Sequence, residues 1–132
     1  MPEVRRVLIV DDDVSMRKLL TSTLTQAGFS VDEAKNGSDA VAKVRANDYL
    51  VIVMDLMMPV SSGFDAVHAI QLNKPGIGKR VVVLSAATGK KKARLDPAQV
   101  FTIMQKPFDP AKLVETVKRC ADQSGSTGRT QS

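Results

Sequence analysis

Cysteine, histidine and tyrosine occur once each in these 132 residues, and tryptophan not at all. Cys120 has no partner for an internal disulfide, which fits a reducing compartment, so a cytoplasmic location is expected. Its place among apolar neighbours suggests that it fills the inner face of a last helix. With no Trp and one Tyr, the chain has few platforms on which single-stranded bases could stack. His68 falls in the middle of an expected helix, far from any strand end, which removes histidine-based catalysis. No apolar run approaches the ~18 residues needed to span a bilayer, and the N-terminus lacks the apolar core of a signal peptide. Direct nucleic-acid and membrane partners are therefore not expected.

Several phosphate and cofactor signatures are missing too. No G-x-G-x-x-G follows the first apolar run. Thr88-Gly89-Lys90 has Leu84 where a phosphate loop needs glycine, and Lys91 where it needs Ser or Thr. A phosphatase of the Asp-x-Asp type would carry a second acid where Met57 stands.

What is present is the composition of one ordinary globular domain, 43% hydrophobic and 25% charged. The net charge of +5 is local. Seven basic residues lie between Lys74 and Arg94 with no acid among them, leaving 12 basic against 14 acidic residues elsewhere. The Lys90-Lys91-Lys92 run is weighted towards a solvated loop over a dock for an acidic partner.

Strand and helix signals alternate five times. Val7–Val10, Leu50–Asp55 and Val81–Ser85 are short apolar runs of the kind buried on both faces of a parallel sheet. Phe29–Ala34 alternates weakly, as an edge strand does, and Val100–Gln105 makes the fifth strand. Between them Met16, Leu19, Leu20, Thr23, Leu24 and Ala27 recur at helical spacing, closed by Gly28. Asn36-Gly37-Ser38 supplies a turn and cap before Ala40, Val41 and Val44. A third helix is expected over Gly63–Leu72, with Phe64, Val67 and Ile70 inward, and a short or distorted fourth within 88–99. In the last helix Leu113, Val114, Val117, Cys120 and Ala121 share one face, with Pro110 to open it. The domain is expected to span residues 1–122, with 123–132 as a flexible tail. Such an alternation gives an α/β fold with helices on both faces of a five-stranded parallel sheet. The arrangement adopted is the flavodoxin-like, doubly wound (βα)5 order 2-1-3-4-5.

That order brings four strand ends to one rim: Asp11-Asp12-Asp13, Asp55, Ser85 and Lys106. Crowded carboxylates are hard to keep ionised without a cation, and oxygen-only ligands suit a hard one such as Mg2+. An ammonium and a hydroxyl can each take a phosphoryl oxygen. One carboxylate remains as a nucleophile, so the residues read as a metal-assisted phosphoryl-transfer site with Asp55 as acceptor.

Four segments carry a family resemblance: Val-Leu-Ile-Val-Asp-Asp-Asp, Met-Asp-Leu-Met-Met-Pro with Gly63, Val-Leu-Ser-Ala, and Gln-Lys-Pro-Phe. In this order, over residues 4–121, the chain resembles the receiver domains of two-component response regulators, of the chemotaxis single-domain type. The resemblance implies that Asp55 accepts phosphoryl from a sensor histidine kinase or histidine phosphotransfer protein. Asp12 would bind Mg2+ directly, Asp11 partly through water, and Met57 through its backbone carbonyl. Ser85 would act as the switching hydroxyl, Lys106 as the phosphate-binding cation, and a downstream protein target would read the result. Such a domain turns over no outside metabolite. Asp13 has no family role, and helix capping suits it best. The chain departs from the family at Ile103, where an aromatic switch residue is common, and over 88–99, which lacks the usual Gly-Ala pairing. Met57 and Ala87 flank the path of a hydrolytic water, so slow self-dephosphorylation is expected. The alternatives are a receiver-fold interaction module signalling without phosphate, or the receiver part of a longer DNA-binding, enzymatic or hybrid-kinase protein.

Overall fold

The computed structural model describes residues 6–55, 70, 76–85, 100–105 and 108–129. Five parallel strands, β1 (Arg6–Val10), β2 (Ser30–Ala34), β3 (Val51–Asp55), β4 (Val81–Ser85) and β5 (Thr102–Gln105), form one sheet in the order 2-1-3-4-5. The three purely apolar runs take the three inner places, and the weakly alternating β2 lies at an edge. Three helices are described: α1 (Val14–Gln26), α2 (Gly37–Ala46) and α3 (Pro110–Arg129).

The period of two along each strand sends neighbours to opposite faces. Val7, Ile9, Val51, Val53, Val82 and Leu84 meet Leu20 and Leu24 of α1 and Leu113, Val117 and Cys120 of α3. Leu8, Val10, Ile52, Met54, Val81 and Val83 meet Ala40 and Val44 of α2, with Ile70 and Tyr49. Every residue of β3 is buried. Burying one such Val, Ile or Leu contributes about 1.5–3 kcal/mol, so the doubly covered central strands are the rigid base for whatever sits at their ends.

The helix boundaries follow from local chemistry. Asp13 caps α1, its carboxylate accepting from the Ser15 amide at 3.0 Å. Asn36 caps α2 by accepting from the Asp39 amide at 2.8 Å. Asp109 accepts from the Ala111 amide ahead of Pro110, which needs no partner in a first turn. Gly28, at φ 101°, ends α1 in a backbone conformation that side-chain-bearing residues rarely adopt.

Four details differ from the pattern-based reading. Leu19 is 49% exposed, because the wall it was expected to join is already filled by Leu20 and Leu24 one turn apart. A 3-10 turn over Ile77–Arg80, too short and glycine-rich to show periodicity, leads into β4. β5 starts at Thr102 rather than Val100, although Val100 is buried. The last helix does not stop at Asp122: its backbone continues to Arg129. Once the packed turns from Leu113 to Ala121 have nucleated a helix, each further residue adds one hydrogen bond, which lets weak helix formers follow. The third-helix segment lies outside the described residues except for Ile70, which is helical and fully buried as expected. The fourth-helix segment, the Lys90–Lys92 run and His68 also lie outside them. Cys120 is fully buried, its thiol 3.8 Å from the Lys79 carbonyl, in the filling role expected of it.

Candidate metal and phosphoryl-acceptor site

The carboxyl ends of β1 and β3 are adjacent, Val10 in register with Met54. Asp55 closes β3 and Asp11 follows β1 directly, so the switch point of the sheet carries two buried carboxylates, 5% and 0% exposed. Asp12 stands beside them, half-buried. One carboxylate oxygen from each of Asp11, Asp12 and Asp55 can be chosen so that all lie within 4.8 Å of one another. Two ionised carboxylates at that spacing repel by roughly 3 kcal/mol at an effective permittivity of about 20. That cost is comparable to the whole contribution of one buried leucine. Among the described residues the donor set is three carboxylate oxygens, which fits a hard divalent cation.

Asp13, third in the acid run, stays out of this group and spends its carboxylate on the α1 cap. Its backbone amide instead donates to Asp11 Oδ1 at 2.9 Å. The Asp11 amide donates to the Ala34 carbonyl at 3.1 Å, extending the β1–β2 ladder by one residue. Arg17 Nη1 donates to the Asp11 carbonyl at 2.8 Å. Asp11 is thus held through its amide, its carbonyl and one carboxylate oxygen.

Ser85 ends β4, one residue past Leu84, the register partner of Asp55. Gln105, in register with Ser85, ends β5, and Lys106 follows it in sequence. Lys106 and Met57 themselves lie outside the described residues, so the described part of the site is the acid triad and the β4 end. Ile103, at the aromatic switch position, is partly buried against the α2-side core.

Sequence reasoning missed Arg17, Thr21 and Glu33. Arg17 Nε donates to Glu33 Oε1 at 2.9 Å, and the Thr21 hydroxyl donates to Glu33 Oε2 at 2.9 Å. These contacts join α1 to β2 across the loop beside Asp11. The sequence offered only one hint, a charged residue pointing inward from an edge strand. Among the described residues, no helix is long and apolar enough to cross a membrane.

The family model of the response regulator receiver domain matches residues 7–118. The chain belongs to that family. Chemotaxis protein CheY of Thermotoga maritima is 33% identical over 118 residues, covering 87% of this chain and 96% of CheY. Transcriptional regulatory protein ResD of Bacillus subtilis is 31% identical over 92% of this chain, which spans only 50% of ResD. SrrA of Staphylococcus aureus gives a similar picture, so this chain spans about half the length of these two curated relatives, at 50% and 52%. Among solved structures, chemotaxis protein CheY4 of Vibrio cholerae matches with TM-score 0.80 and 32% identity over 89% of this chain and 99% of CheY4. A CheY-like receiver from Methanospirillum hungatei matches with TM-score 0.85 over 95% of this chain and 99% of its own, and at 21% identity it supports the fold alone. A further neighbour, TrrA of Thermotoga maritima, was solved in complex with Mg2+ and beryllofluoride; it matches with TM-score 0.78 and 28% identity over 89% of this chain. The flavodoxin-like fold and the assignment to two-component signalling follow from these matches together.

Proposed function

We propose that this receiver is the phosphoryl acceptor of a phosphorelay, with Asp55 as the residue modified. The observation that carries the reading is the convergence of Asp11, Asp12 and Asp55 within 4.8 Å at the switch point of the sheet. One Asp55 carboxylate oxygen attacks the phosphorus of a phosphohistidine on a sensor histidine kinase or histidine phosphotransfer protein. The phosphorus–nitrogen bond breaks, its electron pair returns to the imidazole, and an acyl phosphate forms on Asp55. Asp11, Asp12, Asp55 and the Met57 carbonyl would hold Mg2+, which supplies charge neutralisation for the phosphoryl oxygens. Lys106 takes another of those oxygens, and Ser85 donates its hydroxyl to a third. Burial of Asp55 excludes bulk water from the acceptor side.

The readout is a changed surface for a downstream protein target. With Ile103 in place of a rotating aromatic, the change passes through backbone shifts at the β4 and β5 ends. ResD and SrrA are named transcriptional regulatory proteins and are about twice as long as this chain. A cytoplasmic setting is part of the proposal, supported by a single cysteine that has no partner for an internal disulfide.

Incubation with Mg2+ and acetyl phosphate, followed by intact mass measurement, tests the proposal. A labile adduct of about 80 Da is expected, absent in Asp55→Asn and absent without Mg2+. An unmodified wild-type chain would favour the phosphate-independent interaction module.

A further inference from the structure

Arg17 meets the acid triad at a backbone group, the Asp11 carbonyl, and so is tied to the site at its root. Its side chain is 16% exposed and forks two ways: Nη1 to the Asp11 carbonyl at 2.8 Å, Nε to Glu33 at 2.9 Å. Glu33 is itself fixed at its other oxygen by Thr21. The planar guanidinium therefore spans from the backbone of one triad member to a carboxylate on β2, and α1 supplies both Arg17 and Thr21. A guanidinium can hold such a fork rigidly, which an ammonium on a flexible stem cannot.

We propose that Arg17 is a positioning residue for the acid triad, acting through the Asp11 backbone, with Glu33 and Thr21 as its anchors. This rests on the metal-site reading above. A lone cation this near would oppose binding of a second cation, but Glu33 neutralises Arg17. The pair delivers geometry to the site with little net charge. Fixing the Asp11 carbonyl also fixes the peptide leading into Asp12, and so sets where both carboxylates can meet a metal. Partners of this kind behind a metal's direct ligands are commonly worth about 10–100-fold in metal affinity.

The test is a titration of the full chain with Mg2+ alone, followed by amide NMR shifts, with amide hydrogen exchange measured on the metal-free protein. Arg17→Met should weaken Mg2+ binding about tenfold, the lower end of that range. In the same variant the Asp13 amide, which donates to Asp11 Oδ1, should exchange faster without metal. Arg17→Lys keeps the charge and loses the fork, so it should fall close to Arg17→Met. If charge alone mattered, Arg17→Lys would match wild type and Arg17→Met would bind Mg2+ more tightly; either result overturns the proposal. Should Arg17→Met fail to fold, Glu33→Gln serves instead: it must weaken Mg2+ measurably, and wild-type affinity there also overturns the proposal. Wild-type Mg2+ binding that is lost in Asp12→Asn but untouched in the Arg17 and Glu33 variants sinks the positioning role alone. A wild-type chain that binds no Mg2+ sinks this role and the site reading together.

Discussion

The two ends of the sheet treat their polar residues in opposite ways. At the amino end, opposite charges and dipoles are matched. Tyr49 donates its phenol to Asp32 at 2.7 Å, Arg6 reaches Asn47 at 3.1 Å and Asp32 at 4.0 Å, and Arg80 donates to the Tyr49 carbonyl at 2.9 Å. At the carboxyl end, three like charges converge within 4.8 Å. The same buried strands support both ends, so the core does not explain the difference. One end pairs its polar groups; the other gathers groups of like charge, an arrangement that a cation would relieve and that functional sites often show.

Breaking the amino end should have the largest effect on stability. Tyr49 is 1% exposed, and Tyr49→Ala removes a buried ring, so a loss of about 3–5 kcal/mol is expected in denaturant unfolding. The carboxyl end should respond with the opposite sign. Asp12→Asn removes one of three like charges and should stabilise the metal-free chain by about 1–2 kcal/mol, less than the full pairwise repulsion because Asp12 is half-exposed. Adding Mg2+ at about 100 times its dissociation constant should then stabilise wild type by about 2.7 kcal/mol and Asp12→Asn by far less, reversing the order. Melting curves with and without Mg2+ check both statements. If Asp12→Asn destabilised the metal-free chain, the contrast between the two ends would collapse.

Smaller effects sharpen the same contrast. Tyr49→Phe keeps the ring and loses the phenol's hydrogen bonding to the half-exposed Asp32 and to Asn47, for about 1 kcal/mol. The smallest is a pH effect confined to the alkaline side. Burial, then the hydrogen bond and negative charge of Asp32, push the Tyr49 phenol well above its ordinary value of 10.0. The unfolded chain therefore ionises first, and the native state holds the proton more tightly. The contribution is complete below pH 10.0 and is lost as pH rises through and beyond that value. Unfolding midpoints of wild type and Tyr49→Phe should run parallel up to that point and converge above it.

Much of the architecture was legible because it rests on short-range signals. Three unbroken apolar runs marked the inner strands, and the side chains of Asp13, Asn36 and Pro110, with the backbone freedom of Gly28, marked helix ends. Leu19 was misplaced because periodicity cannot say which of two adjacent leucines wins a filled wall. The extended last helix was missed because propagation from a packed anchor leaves no trace in the composition of residues 123–129. In the site, the acids could be named from sequence because strand ends are where a parallel sheet gathers them. The forked Arg17 contacts span 16 residues to Glu33 and 6 to Asp11. No local pattern encodes a pairing of that range, and the Tyr49–Asp32 bond, 17 residues apart, escaped for the same reason.

The central claim is that Asp55, and neither of its two carboxylate neighbours, carries the phosphoryl group. Borohydride reduces an aspartyl phosphate to homoserine and leaves free carboxylates alone, so it marks the acceptor permanently. Treatment of the phosphodonor-exposed chain, followed by peptide sequencing, should place homoserine at position 55 and nowhere else. A mark at Asp11 or Asp12, or an acyl phosphate that still forms in Asp55→Asn, would contradict the account.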